Sequence, residues 1–318
     1  MIDLILYNDR TAFAPSVLSG GAVQVGGFEV ACEQIASGVA AIGASVEVFH
    51  NGGAGYERGV VYQTPRRVHP DISCRALLTA RACHIPSWIK AERTFTTVVD
   101  DPRSEPESFA HLRGKSTLIA LSEWQAGLYR ALGHERVIVI PSMIADDVYN
   151  YRSCEKKPGR FVCVNAWNKG TDATLRLWSK LKRIMPGCTL SVGSPYSHPP
   201  DAMERCAFSG ARWLGTLTPA GVVDALSTAE AVFRVCERPE TFGVADAIAE
   251  VVGARVHCLC TNGFGAARDV LSSSYLTTDL KIFLDGVLEA RDTPGLAVPR
   301  GDYFVSSVIK QWERTLFG

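Results

Sequence analysis

The sequence predicts an α/β protein with two doubly wound domains, each built on a parallel sheet covered by helices. Three observations support this prediction. The chain has 318 residues, more than a single hydrophobic core usually holds. Short apolar runs alternate with amphipathic helical patterns, an order typical of parallel strands joined by right-handed crossovers. The alternation stops at residues 145–160, a polar stretch with proline and glycine that is typical of a domain linker, and then restarts. We therefore expect a ligand cleft between two domains.

The first half of the chain supplies the first predicted domain, residues 1–150. A strand in MIDLILY leads to an amphipathic helix in GGFEVACEQIASGVAAIG and a second strand in ASVEVFH. Further strands are predicted in CRALLTA, RTFTTVV and STLIALS, and they are followed by a helix in EWQAGLYRALG and a strand in RVIVIP.

The second predicted domain, residues 151–302, repeats the alternation. Strands are predicted in FVCVNA, CTLSVG, ARWLG, AVFRV and ARVHCLC, and helices in 172–185, from about Thr218, and within ETFGVADAIAE. The last predicted segment, 303–318, has helical spacing that places Phe304, Val308 and Trp312 on one face. We expect this helix to pack back on the first domain.

Charge and cysteine content limit the classes of function. The sum of lysines and arginines, 33, equals that of aspartates and glutamates, which argues against a globally basic nucleic-acid binder. No run of about 20 apolar residues is present, and the first residues resemble no leader peptide. The ten cysteines include no CxxC pair, so buried free thiols are the expectation. These features predict a soluble, intracellular and cytoplasmic protein.

Glycines and a lysine follow several predicted strands, where open parallel sheets bind their ligands. Gly26 and Gly27 precede the first helix, and Gly263 and Gly265 follow the strand ARVHCLC. Lys169 stands between a strand and a helix, where an ammonium group suits a diphosphate. Tight turns and a solvated lysine are the alternatives. Together these loops predict sites for a phosphorylated ligand.

Glu240 follows the strand AVFRV at the same predicted edge. A carboxylate near anion-binding groups can accept hydrogen bonds from hydroxyls, as a sugar offers. Capping of the following helix is the competing explanation, and both roles can coexist.

Several segments resemble the retaining glycosyltransferases of the GT-B fold, specifically family 4. They are GGFEVACEQIASGVAAIGASVEVF, ALSEWQAGLYRALGHERVIVIPSMIADDVY, NKGTDATLRLWSKLKRIMPGCTLSVG, ETFGVADAIAEVVGARV and NGFGAARDVL. The resemblance implies two Rossmann-like domains, the first binding the acceptor and the second the nucleotide-sugar donor. It also implies a co-substrate but no cofactor, no metal, and no dedicated protein base, because the leaving phosphate assists the incoming hydroxyl.

The same resemblance assigns roles to individual residues. Lys169 would stabilise the leaving diphosphate, and Glu240 would hold hydroxyls of the transferred sugar, a hexose or a pentose. The implied donor-binding residues are Gly26, Gly27, Asn165, Lys169, Thr241, Phe242, Gly243, Val244, Gly263 and Gly265.

Two positions depart from the family pattern. The family has a second glutamate eight positions after the first, which binds ribose, but Ile248 stands here. An arginine that usually precedes the lysine is replaced by Val164 and Asn165. Helical spacing places Ile248 on an apolar face and predicts that Asp246 and Glu250 form a solvated face.

The acceptor is expected to be anionic or polymeric, with hydroxylated bases in DNA as one option. Between residues 64 and 90 the cations are Arg66, Arg67, Arg75, Arg81 and Lys90, and Asp71 is the only acid. Scattered surface cations are the alternative.

Four residues of the first domain are predicted near the acceptor. Asp100 is the candidate for orienting the reacting hydroxyl, and Arg81, His84 and Asp101 are predicted to bind the acceptor. A turn-forming aspartate before proline and a structural histidine are the alternatives. A catalytically degenerate sugar-nucleotide or nucleic-acid binding protein, or an epimerase or phosphorylase of the same fold, also fits the sequence.

Overall fold

A computed structural model of the chain describes residues 1–8, 27–65, 71–81, 84–99, 101–103, 107–195, 198–239, 242–271, 276–292 and 302–318. The chain divides into two compact units. Unit 1 comprises the described parts of Met1–Val23, Gly27–Met143 and Asp302–Gly318, and unit 2 comprises those of Ile144–Gly301. Each unit contains its own sheet, as the sequence predicted.

Unit 1 contains an eight-stranded sheet in the order β3-β4-β2-β1-β5-β6-β7-β8. Its strands are β1 Ile2–Asn8, β2 Val46–His50, β3 Gly55–Glu57, β4 Val60–Gln63, β5 Ile72–Ala80, β6 Ile89–Thr97, β7 Thr117–Ala120 and β8 Val137–Val139. Only β3 and β4 pair antiparallel among these strands. The last five residues of β1 are all buried, a pattern typical of a parallel strand with both faces covered.

Helices α1 Gly27–Ala41, α2 Glu107–Ala110, α3 Glu123–Ala131 and α10 Val305–Phe317 belong to unit 1. Val308, Ile309 and Trp312 of α10 are buried in a core that includes Ile35 and Val39 of α1. A Cβ atom on Gly38 would lie 2.6 Å from Ile309 Cδ1, so the glycine allows the two helices to approach closely. The prediction that the last helix packs on the first domain is confirmed.

Unit 2 contains a six-stranded parallel sheet in the order β11-β10-β9-β12-β13-β14. Its strands are β9 Lys157–Val164, β10 Thr189–Ser194, β11 Arg212–Thr216, β12 Ala229–Cys236, β13 Arg255–Cys260 and β14 Leu276–Thr277. Its helices are α4 Thr171–Leu181, α5 Ala202–Phe208, α6 Pro219–Ser227, α7 Val244–Val251, α8 Ala267–Val270 and α9 Leu280–Asp292. Thr218 caps α6 by accepting a hydrogen bond from the Gly221 N–H, as expected of a helix that starts there.

The predicted linker is more ordered than its composition indicated. Asp146–Ser153 forms a 3-10 helix, and β9 already begins at Lys157. Arg152 donates hydrogen bonds to the carbonyls of Glu250 and Val251, so this segment caps the end of α7.

The described residues test two expectations that were drawn from the composition, one on the cysteines and one on membrane-spanning segments. The nine cysteines among them are free thiols, and all except Cys154 are buried, which confirms the expectation for these residues. Across the part of the chain that the structure describes, no helix has both the length and the apolar character needed to cross a membrane.

Candidate functional site

The carboxyl ends of β9, β12 and β13 place three loops side by side at one edge of the unit 2 sheet. The Glu237 N–H donates to the Lys169 carbonyl at 3.4 Å. The Thr261 N–H donates to the Cys236 carbonyl at 3.0 Å, and the Asn262 side-chain amide donates to the Glu237 carbonyl at 2.7 Å. The loops predicted to bind phosphate are therefore joined largely through their own backbone. We call this edge the unit 2 rim.

Asn165 and Lys169, two of the predicted donor-binding residues, lie close together in one loop. Lys169 ends a one-turn 3-10 helix that begins at Trp167. The Asn165 side-chain amide lies 3.4 Å from the Lys169 carbonyl and donates to it, and the Asn165 backbone N–H donates to the Gly193 carbonyl. Asn165 thus holds the loop in place, a contribution that its polar character alone did not indicate.

The backbone conformation and surroundings of residue 170 explain why a glycine follows Lys169. Its φ is +113°, and a Cβ atom there would lie 2.3 Å from the Val235 carbonyl oxygen of β12. Thr174 bridges the same two elements, because its hydroxyl donates to the Gly170 carbonyl and accepts from the Val235 N–H, both at 2.9 Å. The turn that holds Lys169 is therefore packed directly against β12.

Gly263 and Gly265 lie in the loop after β13, with φ values of +95° and +57°. Glycine adopts such values without steric cost. Phe264 lies between the two glycines, and the centre of its ring is 3.8 Å from the guanidinium carbon of the exposed Arg268. The sequence analysis did not single out Arg268, which places a cation beside this predicted anion-binding loop.

Phe242, Gly243 and Val244 connect β12 to α7. Phe242 is buried, and Gly243, with φ +80°, is the N-cap of α7. Glu240 and Thr241 lie outside the described residues, so the predicted roles of the carboxylate and of its neighbour stay predictions.

The two acids of α7 are not a solvated face, so that prediction is wrong. Asp246 and Glu250 are 3% and 1% exposed, whereas Ile248 is partly exposed. The cause is Arg234, a buried arginine of β12 that forms an ion pair with Asp246. A buried guanidinium needs a carboxylate partner, so α7 turns its acids inward. The arginine within the apolar strand AVFRV was the feature of the sequence that could have indicated a buried acidic partner.

Arg81 is the predicted acceptor residue with the most distinctive geometry in unit 1. It follows β5 with φ +59°, a left-handed conformation that is strained for a residue other than glycine. Its guanidinium carbon lies 4.7 Å from the centre of the Phe28 ring, and its Nη2 lies 3.9 Å from a carboxylate oxygen of Glu29. Phe28 and Glu29 follow Gly27, the first residue of α1. Gly26 lies outside the described residues.

Asp101 has contacts within unit 1 that fit the alternative of a turn-forming aspartate, and His84 has a ring contact there. The Arg103 backbone N–H and Nε both donate to Asp101 Oδ1, at 3.0 and 2.9 Å. Burial raises the pKa of the Asp101 carboxyl, but these bonds and the Arg103 charge outweigh it and lower the pKa overall. The His84 ring is exposed and lies 5.2 Å from the His111 ring. Asp100 lies outside the described residues.

The predicted basic stretch does not form one cationic patch among its described residues. Arg75 lies within β5 and pairs with Asp3 at 3.3 Å, and Lys90, near the start of β6, pairs with Asp71. Both lie toward the amino ends of their strands, whereas Arg81 follows a carboxyl end. Arg66 and Arg67 lie outside the described residues. These charges lie toward opposite ends of the strands, which their closeness in the sequence did not indicate.

Glu33 of α1 is a buried carboxyl that the sequence analysis did not identify. It is 3% exposed, and neither of its carboxyl oxygens has a hydrogen-bond partner. Burial, together with the nearby Glu57 charge, raises its pKa to about 7, although Arg58 acts in the opposite direction. The carboxyl group therefore keeps its proton to a higher pH than an exposed glutamate does.

Metal-binding side chains are not grouped in the described ranges, where no set of three or more histidines, cysteines, aspartates or glutamates could hold a metal ion.

The chain has the GT-B fold of glycosyltransferases, an α/β fold with two domains, as comparison with solved structures shows. Anabaena HepE, solved with UDP-glucose, has 12% sequence identity and a TM-score of 0.70, with 99% of each chain covered. A Rickettsia africae glycosyltransferase has 11% identity and a TM-score of 0.68, with 99% of this chain and 97% of that chain covered. WaaG, a glycosyltransferase of lipopolysaccharide biosynthesis, has 13% identity and a TM-score of 0.66, with 99% and 100% covered.

The match to S. aureus TarM is shorter. It has 13% identity and a TM-score of 0.59, covering 76% of this chain but only 55% of TarM. No protein-family model matches the chain, and no curated protein matches it in sequence. The similarity to the solved structures establishes the fold.

Proposed function

We propose that this protein is a glycosyltransferase that moves a sugar from a nucleotide-sugar donor to an acceptor hydroxyl with retention of anomeric configuration. The observation that supports it best is the Lys169 turn, which Gly170 packs against β12. A cation on a fixed turn costs little reorganisation when negative charge develops on a leaving diphosphate. The loop with Gly263, Gly265 and Arg268 would add backbone amides and a second cation.

The remaining donor contacts follow from the resemblance to family 4. Glu240 would accept hydrogen bonds from sugar hydroxyls, and the backbone N–H groups from Phe242 to Val244 would lie near it. Gly26 and Gly27 would contact donor phosphate or sugar. The leaving phosphate would assist the incoming hydroxyl, and fixed cations would stabilise its charge without a metal ion. HepE was solved with UDP-glucose, which makes UDP-sugars the first donors to test.

For the acceptor, we propose a group with negative charge bound in unit 1, with Arg81 as the contact residue. Its guanidinium is supported by the Phe28 ring and lies beside Glu29. Asp100, Asp101 and His84 would help to orient the acceptor. Arg75 and Lys90 lie away from Arg81, toward the amino ends of their strands. The described cations therefore give less support to a long polyanion such as DNA than to a smaller anionic acceptor.

A transfer assay tests the proposed function. The wild type is incubated with UDP-sugars and a panel of acceptors, products are detected by mass spectrometry, and the new glycosidic bond is assigned by proton NMR. We expect retention of configuration and a rate at least 100-fold lower in Lys169→Ala, the size of loss typical for a group that stabilises developing charge. We expect a similar loss in Glu240→Ala, because the transferred sugar would lose the group that positions its hydroxyls.

The control is Lys180→Ala, because Lys180 is an exposed lysine of α4 and its removal leaves the proposed site intact. Activity of Lys169→Ala and Glu240→Ala within twofold of the wild type would refute the assigned roles. Donor binding without product across the whole panel would instead indicate a binding protein of the same fold.

A further inference from the structure

A buried ion pair joins strand β12 to helix α7 beside the unit 2 rim. Phe233 and Val235 of β12 pack in the core that contains residues of α4 and α9. Because side chains alternate along a strand, Arg234 points to the opposite face of the sheet. There its guanidinium donates a hydrogen bond to the Asp246 carboxylate of α7. The two side chains are 3% and 5% exposed, so a ligand reaches neither charge.

The same carboxylate lies beside the turn that opens α7. A Cβ atom on Gly243 would lie 3.2 Å from Asp246 Oδ2, so the glycine leaves room for the carboxylate. The Asp246 backbone N–H donates to the Gly243 carbonyl at 3.0 Å, and Phe242, the preceding residue, is buried. Asp246 therefore lies against Gly243 with both its side chain and its backbone while it binds Arg234.

The ion pair closes the base of the connection between β12 and α7, residues 237–243. On the β12 side, the connection is tied to the neighbouring loops of the unit 2 rim, because the Glu237 N–H donates to the Lys169 carbonyl. On the α7 side, Arg234 and Asp246 tie the start of the helix back to β12. The position of the turn at Gly243 thus depends on this pair.

Stability alone gives little reason for such a pair. Two charges lose their hydration when they are buried, and replacing a buried ion pair by apolar side chains is often neutral or stabilising. A guanidinium and a carboxylate bond only in a restricted geometry, so a buried pair fixes the direction in which two elements meet. Here the elements are the strand and the helix on either side of the turn at Gly243.

We infer that Arg234 and Asp246 are positioning residues for the donor sugar, because their ion pair holds the backbone N–H groups from Phe242 to Val244 in place. The inference rests on the proposed function, which puts these N–H groups near the transferred sugar. Neither side chain touches the donor, so both act through the turn. Loss of the pair should weaken recognition of the sugar and leave recognition of the nucleoside diphosphate unchanged.

Calorimetric titration with paired ligands tests the inference. UDP-glucose, UDP-N-acetylglucosamine, ADP-glucose and GDP-mannose are titrated into the wild type, and the tightest of them is compared with its nucleoside diphosphate in each variant. The double variant Arg234→Met with Asp246→Leu removes both charges and fills the space with apolar side chains. We expect the dissociation constant of the nucleotide sugar to rise about tenfold, as for one lost hydrogen bond. The dissociation constant of the nucleoside diphosphate should stay within twofold.

Two further variants show whether the effect belongs to the turn. Asp246→Asn keeps the side-chain shape and one acceptor oxygen for Arg234, and we expect a smaller rise, about threefold, for the nucleotide sugar. The matched control is Arg152→Met. Arg152 donates to the carbonyls of Glu250 and Val251 at the other end of α7, so its loss loosens the helix away from the turn. Nucleotide-sugar affinity in this control should stay within twofold of the wild type.

Hydrogen exchange of the peptide 242–247, measured by mass spectrometry without ligand, reports on the turn directly. We expect exchange at least tenfold faster in the double variant, because the start of α7 opens more often, and unchanged exchange in Arg152→Met. A thermal unfolding midpoint close to that of the wild type establishes that the double variant is folded.

The outcomes separate this inference from the proposed function. Nucleotide-sugar binding and exchange as in the wild type in the folded double variant, with weaker binding in Lys169→Ala, would overturn the inference and leave the proposed function standing. An equal loss of nucleoside diphosphate affinity, or the same loss in Arg152→Met, would also overturn it, because the effect would not be specific to the turn. If the double variant does not fold, wild-type binding and exchange in Asp246→Asn would overturn it. Failure of the wild type to bind every nucleotide sugar tested would remove both.

Discussion

The two units hold their candidate ligand residues in different ways. At the unit 2 rim, the loops after β9, β12 and β13 are joined by bonds that mainly use backbone groups, and Gly170 is packed against β12. In unit 1, Arg81 is held by contacts between side chains, with the Phe28 ring and the Glu29 carboxylate. Asp101 is held by the Arg103 side chain as well as by the Arg103 backbone N–H.

The two units should therefore differ in the substitutions that their candidate sites tolerate. Backbone geometry at the unit 2 rim depends on a few glycines with positive φ, so the shape of a phosphate site there tolerates few changes. In unit 1 the candidate contacts are side chains in loops that follow the strands, an arrangement in which binding residues can vary without refolding. This contrast agrees with our proposal that unit 2 binds a common donor group and unit 1 a variable acceptor.

The largest expected effect is that of Gly170→Ala, which breaks the backbone packing of the unit 2 rim. A Cβ atom would lie 2.3 Å from the Val235 carbonyl oxygen at a φ of +113°. We expect a loss of about 3 kcal/mol in the free energy of unfolding, from the clash and the unfavourable φ together. Chemical denaturation monitored by circular dichroism measures it.

Gly263→Ala is the matched control for this prediction. Gly263 has a similarly positive φ, +95°, but no atom lies within 4 Å of its Cβ position. The substitution should cost about 1 kcal/mol, the strain of a left-handed alanine alone. Equal losses in the two variants would show that contact with β12 does not hold the Lys169 turn.

A smaller effect is expected at Glu33 in unit 1. Its pKa is raised to about 7 in the folded state from an ordinary value of 4.5. Unfolding therefore releases a proton between these values, and stability falls as pH rises from about 4.5 to 7, after which the loss is complete. We expect the wild type to lose on the order of 2 kcal/mol between pH 5 and pH 8 through this group.

Glu33→Gln should flatten this pH dependence, because its side chain stays neutral. Denaturation profiles at pH 5, 6, 7 and 8 measure the change, and Glu123→Gln, at an exposed carboxylate of α3, is the control. A Glu33→Gln profile with the same pH dependence as the wild type would show that Glu33 is ionised at low cost in the folded protein.

Much of the fold could be predicted from the sequence because buried parallel strands are continuous apolar runs. The runs FVCVNA, AVFRV and ARVHCLC correspond to β9, β12 and β13. The β3–β4 hairpin was missed. Its strands have three and four residues, too few for a periodic signal.

The positions of candidate residues could be predicted where they depend on the order of strands and loops along the chain. They were harder to predict where they depend on the direction in which a side chain points. Lys169, Gly263 and Gly265 lie at strand ends as predicted. The face of α7 was wrong, because apolar spacing in an eight-residue helix could not reveal that Arg234 draws Asp246 inward. The Trp213 ring contacts the Trp167 and His198 rings, and only the fold brings these three residues together.

The most direct test of the central claim, a nucleotide-sugar site at the unit 2 rim, is hydrogen exchange measured by mass spectrometry with and without saturating UDP or UDP-glucose. The account predicts slower exchange of the backbone amides in the loops after β9, β12 and β13, and loss of this protection in Lys169→Ala. Protection confined to unit 1 would contradict the account, as would protection that Lys169→Ala leaves unchanged.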